Sequence, residues 1–409
     1  MTQEYFQFRL DRYRTLFLLS AATMMLFVSG CGERSAESKS SSDLRASCFD
    51  VTSDNGAIHL LIGQPAEDKA LDFFYLKRKS TDQTWPEPIR IPTTHATPGN
   101  HHRGNDPQIA VHGERLMALW TAKGGGPYGS GPIATALSND GGRTWTPGPS
   151  PTLTTDDAQD VGYRFPATVA GDGAFHVVWI HAEDKERSLR YSRLAFDSKH
   201  WSEPTVIDPT SCACCWNEIK INADGELFVL YRDEQPRDMA LAVSKDRGQT
   251  WNRTGAVGDF NWDFNGCPHV GGGLALTPGR NAGENLLVAT VWTGQSEHSG
   301  AYVLTSGDNG QSWSATTRLG LSKIGRHTDT TALSPDKAAV AWDEPSTNGQ
   351  SMFVALTEDG GKTWGEPQQL SAAKAKYPRL LACDDQFFVL WSEDEEKGTP
   401  RLRMELIAR

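Results

Sequence analysis

Of 409 residues only seven are cysteine, and the net charge of -11 comes with no stretch that concentrates lysine and arginine. A chain without a basic stretch offers phosphates no footprint, so nucleic acid is excluded as a partner. Long helical patterns are also scarce. Thirty-nine glycines and thirteen tryptophans instead suit an all-β protein of many short strands and turns. The length permits one large domain or two ordinary ones with a sizeable core, and no cofactor motif stands out.

What is present in quantity is one eight-residue pattern. It reads SNDGGRTW from Ser138 to Trp145, SKDRGQTW from Ser244 to Trp251, SGDNGQSW from Ser306 to Trp313 and TEDGGKTW from Thr357 to Trp364. Worn copies stand at Ser80 to Trp85 and Phe196 to Trp201. The tryptophans 85, 145, 201, 251, 313 and 364 recur at roughly 50–60-residue steps, the spacing of a repeat architecture. Each copy reads as a hairpin turn: Ser and Asp bond the backbone, Gly takes a positive φ, and Trp packs a broad ring.

The pattern resembles the Asp box of the bacterial neuraminidase repeat, which marks sialidase-like β-propellers. The resemblance implies four-stranded blades around an axis. Between the boxes the chain repeats inner-strand pairs with strand-period alternation, as in Pro107 to Trp120, Pro166 to Trp179 and Pro378 to Trp391. Seven such pairs against six outer turns favour seven blades, with six, the sialidase number, as the alternative. The last unit lacks a fourth strand, and a segment near Ser42 to Cys48 is expected to supply it, so that the chain ends pair and close the ring.

The N-terminus reads separately. Arg9, Arg12 and Arg14 precede an uncharged, largely apolar run from Thr15 to Gly30 that is too short for a stable spanning helix and suits a secretory signal. It ends in Val28-Ser29-Gly30-Cys31, which resembles the lipobox of bacterial lipoproteins. The resulting expectation is a signal peptide over 1–30, a lipid-anchored serine-rich tether over 31–45 with Cys31 acylated, and a propeller over 46–409. Such a chain is an exported monomeric lipoprotein, held at the outer membrane and facing the periplasm or the outside.

Export would leave the other six cysteines in an oxidising compartment. Cys48 in the first inner strand and Cys383 at the end of the last would be neighbours in a closed ring, so a disulfide is expected there, worth roughly 4–5 kcal/mol by loop entropy. Cys212, Cys214, Cys215 and Cys267 precede inner strands of successive units and can meet. Two disulfides are the plain reading; a metal site of Cys212, Cys214, Cys267 and His269 is the alternative.

In the resembling family, loops entering inner strands and leaving second strands share one face. Here they carry His101, His102, Arg103, Asp106, Arg164, Glu218, His269, Arg326, His327, Asp329, Tyr377 and Arg379, with Asp184, Arg232, Arg237 and Asp343. The crowd suits a polar, anionic ligand, so the expected partner is a glycan or glycoconjugate. Sialidases fix a carboxylate with three arginines and use an aspartate acid/base with a tyrosine nucleophile activated by a glutamate. By resemblance Tyr163-Arg164-Phe165-Pro166 supplies one arginine, Asp184 the acid/base, Glu218 and Arg232 the glutamate and second arginine, and Tyr377 the nucleophile. No arginine stands at the third position, where the chain reads WTGQSEH from Trp292 to His298. Arg326 or Arg379 would complete the set, with Arg237 as a further substrate contact. The rivals are a non-catalytic binding or assembly propeller and a metal-dependent site on the Cys/His loops.

Overall fold

The computed structural model describes residues 44–407 apart from 67–69, 94–103, 127–128, 153–161, 184–185, 321–322, 348 and 372–373. Signal, tether and Cys31, with His101, His102, Arg103 and Asp184, therefore lie outside the described residues. Among the described residues no helix is long and apolar enough to cross a membrane. The chain there forms 27 strands in seven antiparallel sheets, each running from an inner strand outward in chain order. Blades 1 to 7 span residues 48–90, 108–148, 162–208, 218–256, 273–319, 326–369 and 375–407. Each inner strand touches the inner strand of the next blade, and that of blade 7 touches that of blade 1. This is a seven-bladed propeller; the six-bladed alternative falls.

Seven apolar cores lie one to each junction between neighbouring blades. A blade is thus covered on both faces, which is why second strands such as Ala57–Pro65 and Ala174–Glu183 are buried at nearly every position rather than at alternate ones. Only the outer strands, such as Asn252–Ala256, read as exposed.

Blade 7 has three strands of its own. The segment before blade 1 completes it: Ala46 N–H donates to Pro400 O at 3.0 Å, Leu402 N–H donates to Leu44 O at 2.9 Å, and Glu395 pairs with both Arg45 and Arg401. Pairing of the chain ends closes the ring as the repeat count required.

The expected staple is absent. Cys48 and Cys383 are free buried thiols, Cys48 in the core between blades 1 and 2 and Cys383 in the core between blades 7 and 1. All inner strands run the same way along the axis, so a cysteine that begins one strand and a cysteine that ends its neighbour lie at opposite ends of the ring. Six residues of strand separate those levels, roughly 20 Å at about 3.3 Å per residue.

Candidate active site

The Asp boxes form the far turns of the blades. In the box at 244–251, Ser244 Oγ accepts the Gly248 N–H at 2.8 Å, and Asp246 accepts the Thr250 N–H at 2.8 Å and its hydroxyl at 2.5 Å. The boxes at 138, 306 and 357 repeat these bonds. The carboxylates serve the turn: bonds from Thr363 hold Asp359 down to about 2. The polar side chains that the turns leave unused stand elsewhere, where chain enters the inner strands.

Those entries share a device. In blades 3, 6 and 7 the pairing of inner and second strands slips by a bulge at the top, between Val178 and Ile180, Arg326 and Asp329, and Lys376 and Arg379. Within each bulge one non-glycine residue takes a left-handed backbone: Phe165 at φ 51°, His327 at 51° and Tyr377 at 57°. His269, ahead of blade 5, does the same at 55°. Such conformations cost on the order of 1–3 kcal/mol each and cluster where a side chain must be re-aimed.

Two of the re-aimed side chains meet. The rings of His327 and Tyr377 lie 4.0 Å apart, and Trp216 stands 6.1 Å from His327. Asp343, fully buried, takes His327 Nδ1 at 2.7 Å and the Tyr377 N–H at 2.9 Å on one oxygen, and Gln350 Nε2 at 2.7 Å on the other. With Nδ1–H donated to Asp343, the Nε2 lone pair of His327 is the one left to act as a base. Asp106, Thr328 and Arg379 complete this small mouth, so it is built from the entries of blades 2, 4, 6 and 7.

Below it lies an axial cavity of about 360 Å³, and Arg379 lines both spaces. There Arg379 donates to Glu218 at 3.1 Å, whose second oxygen receives Lys220 at 3.2 Å. Burial pushes Asp50 and Asp329 up to about 6, with Arg379 offsetting part of the rise. Each spans to the next blade, taking the N–H of Ile109 at 2.9 Å and of Leu380 at 2.8 Å. Burial works against the charge of Arg379, but the carboxylates of Glu218, Asp329 and Asp50 outweigh it and raise its pKa.

The expected residues divide. Tyr377 and Arg379 reach the mouth, and Arg326 is exposed beside His327. Glu218 lines the cavity and is paired to Arg379 and Lys220. Arg232, 1% exposed, donates to the carbonyls of Val270, Arg237 and Trp292, and Arg164 donates to Ala213 O at 2.9 Å. Both therefore hold loops of neighbouring blades together. Arg237 donates to Cys212 Sγ at 3.3 Å. Asp343 and Trp216 carry more of the site than their place in the chain suggests, because the His327–Asp343 contact spans sixteen residues across a bulge that no motif announces.

The cysteines before blades 4 and 5 do gather. Cys212 Sγ lies 3.3 Å from Cys214 Sγ and 3.5 Å from Cys215 Sγ, and Cys214 also groups with Cys267 and His269. Thiol hydrogen bonds from Cys214 and Cys215 hold Cys212 well below the usual thiol range. No disulfide links them, contrary to the plain reading of their spacing.

Residues 259–389 match the family described as BNR repeat-like domain. Among solved structures, a polysaccharide lyase, the PL25 ulvan lyase bound to -[GlcA(1-4)Rha3S]-, aligns at TM-score 0.58 and 11% identity over 91% of this chain and 94% of its own. The polysaccharide lyase Uly1 aligns at TM-score 0.54 and 10% identity over 89% of each chain. The Hadza microbial sialidase Hz136 aligns at TM-score 0.49 and 17% identity, over 84% of this chain and 75% of its own. No curated protein matches the chain.

Proposed function

With a sialidase-like Asp-box propeller as the premise, we propose that the chain binds an acidic glycan at the axial mouth and cleaves it with His327 and Tyr377 as a proton-transfer pair. The observation that carries this is the single buried carboxylate of Asp343, which fixes the imidazole of one residue and the backbone of the other so that their rings lie 4.0 Å apart. A base and an acid so placed suit elimination beside a uronate carboxylate. His327 Nε2 takes the proton from the carbon next to the carboxylate, the C–O bond to the leaving sugar breaks as a double bond forms, and the tyrosine hydroxyl proton passes to the departing oxygen. Arg379, which lines the mouth, supplies positive charge that makes that carbon acidic, and the exposed Arg326 next to His327 in sequence is the second cation this reading draws on. Trp216 offers an apolar wall for a sugar face.

A sialidase-like hydrolysis is the second reading, supported by the resemblance of the Lys376-Tyr377-Pro378 segment to that of the sialidase nucleophile. It asks for a glutamate on the tyrosine, and Glu218 is engaged by Arg379 and Lys220 instead. The deciding experiment incubates the chain with a glucuronate-containing polysaccharide, following ultraviolet absorbance of unsaturated uronate, and in parallel with a fluorogenic α-sialoside. Elimination is expected on the first, with His327→Ala and Tyr377→Phe each slowing it by about 100-fold or more. Release from the sialoside alone would replace elimination by hydrolysis; no product from either would leave a binding propeller.

Export and anchoring belong to the same proposal: the lipobox-like end of the apolar run makes Cys31 the acylation site. Fatty-acid labelling of the expressed full chain, lost in Cys31→Ser, is the expected result, and an unlabelled parent chain would refute it.

A further inference from the structure

Five soft donors meet on two loops that the proposed reaction does not use. Cys212, Cys214 and Cys215 precede blade 4, and Cys267 and His269 precede blade 5. The donor atoms of the first three lie within 4.8 Å of one another, as do those of Cys214, Cys267 and His269. Cys214 belongs to both groups, so the five form one continuous shell. We propose that this shell is a thiolate-rich metal centre for a soft d10 ion, zinc(II) or cuprous copper, with Cys214 at its middle.

The donor set argues for such an ion. Thiolate and imidazole select zinc and cuprous copper over the hard cations that carboxylates take. The sulfur spacings of 3.3 and 3.5 Å are close to the edge of a zinc–thiolate tetrahedron, roughly 3.8 Å for bonds of about 2.3 Å. Three of the sulfurs belong to residues only 1% exposed, while Cys267 at the surface gives an ion a way in. Arg237, itself 8% exposed, donates to Cys212 Sγ and offsets negative charge there, as an outer partner of a metal thiolate does.

Disulfides are the rival, and the spacing limits them. Cys214 and Cys215 are adjacent, with Cα atoms about 3.8 Å apart, below the roughly 4.4 Å that an unstrained bridge needs. Two bridges would have to pair Cys212 with one of Cys214 and Cys215 and Cys267 with the other, consuming the same donors. An ion would have a consequence at the mouth. Trp216 follows Cys215 directly, and its indole N–H donates to Gly272 O at 3.0 Å, three residues beyond His269. A metal joining the two loops would clamp the Trp216 wall from both sides.

The test uses the full chain purified under reducing, oxygen-free conditions and equilibrated with zinc sulfate alone or with cuprous copper alone. After desalting, elemental analysis and native mass are read. At least about one ion per chain is expected with one of the two probes, together with an intense thiolate-to-metal absorption band when cobalt(II) replaces it. Cys214→Ser is expected to lose the ion and Cys383→Ser, which alters a buried thiol elsewhere, to keep it. Should Cys214→Ser fail to fold, Arg237→Gln leaves every donor in place and is expected to weaken the ion by about 10- to 100-fold, the usual cost of an outer partner. The proposal is overturned if neither ion is retained, if Cys214→Ser or Arg237→Gln folds and binds as the parent does, or if the reduced chain's thiols close into two bridges on air exposure while a metal-equilibrated sample closes them equally fast.

Discussion

Asp50 and Asp329 do the same work at two points of the ring, each reaching from its own inner strand to a backbone N–H of the next. The placement that makes them good clasps also makes them poor anions, since burial lifts both to about 6 from 3.8. Between those pH values the folded carboxyl keeps a proton that the unfolded chain has lost. Their contribution is therefore fully present below about 3.8 and is lost as pH rises through about 6. His59 and His176 act in the opposite sense: burial lowers both from 6.5 to about 4, so their contribution holds above 6.5 and is lost as pH falls through 4. Asp50→Asn removes one term from the first group and keeps an oxygen for the Ile109 N–H. Relative to the parent, the variant is expected to gain stability as pH rises from 4 to 6.5, by up to about 1.4 kcal/mol per pH unit, read from urea midpoints. A constant difference across that range would remove Asp50 from the account.

At the scale of the element, the Asp box joins blades as well as turning a hairpin. The glycine of the box at 244–251 lies against the tyrosine of the preceding blade: a Cβ on Gly248 would stand 2.1 Å from the Tyr191 ring, and Tyr191 O–H donates to Arg247 O at 3.1 Å. Gly142 meets Tyr75 in the same way. Backbone and packing can be separated, because Gly173 has φ of 70°, near the 86° of Gly248, with nothing around its missing Cβ. Gly173→Ala is expected to cost on the order of 1 kcal/mol for its backbone alone, and Gly248→Ala at least about 1 kcal/mol more, measured as thermal or urea unfolding. Equal losses would deny the box its role between blades. The box was legible because turn chemistry is local: Ser, Asp, Gly and Trp must stand at fixed offsets. Tyr191 was not, because its partner lies 56 residues away. The site divides along the same line. Tyr377 and Arg379 could be placed at the mouth because they open a strand, whereas the Asp343 clasp depends on a bulge whose position alternation does not reveal.

For the whole molecule, counting inner-strand pairs against outer turns gave seven blades and a missing strand, the strand being missing because each of the other blades carries four. The same count misplaced the staple, because adjacency around a ring says nothing of height along its axis. With Cys48 and Cys383 as free thiols, closure rests on non-covalent contacts at the seam. Leu44, only 4% exposed, enters the core between blades 1 and 7, where it joins Phe49, Leu381 and Leu402. A ring distributes strain to every junction, so a weakened seam lowers the stability of all seven blades together. Leu44→Ala is therefore expected to lower global stability by about 2–5 kcal/mol, the range for a buried leucine, within a single cooperative transition. Leu406→Ala, 52% exposed on the strand that Leu44 helps to cover, is the control and should stay within about 0.5 kcal/mol of the parent. Were the two to cost the same, residues 44–46 would be an appendage of blade 1, and the seam would rest on the contacts that blades 7 and 1 make through their own strands.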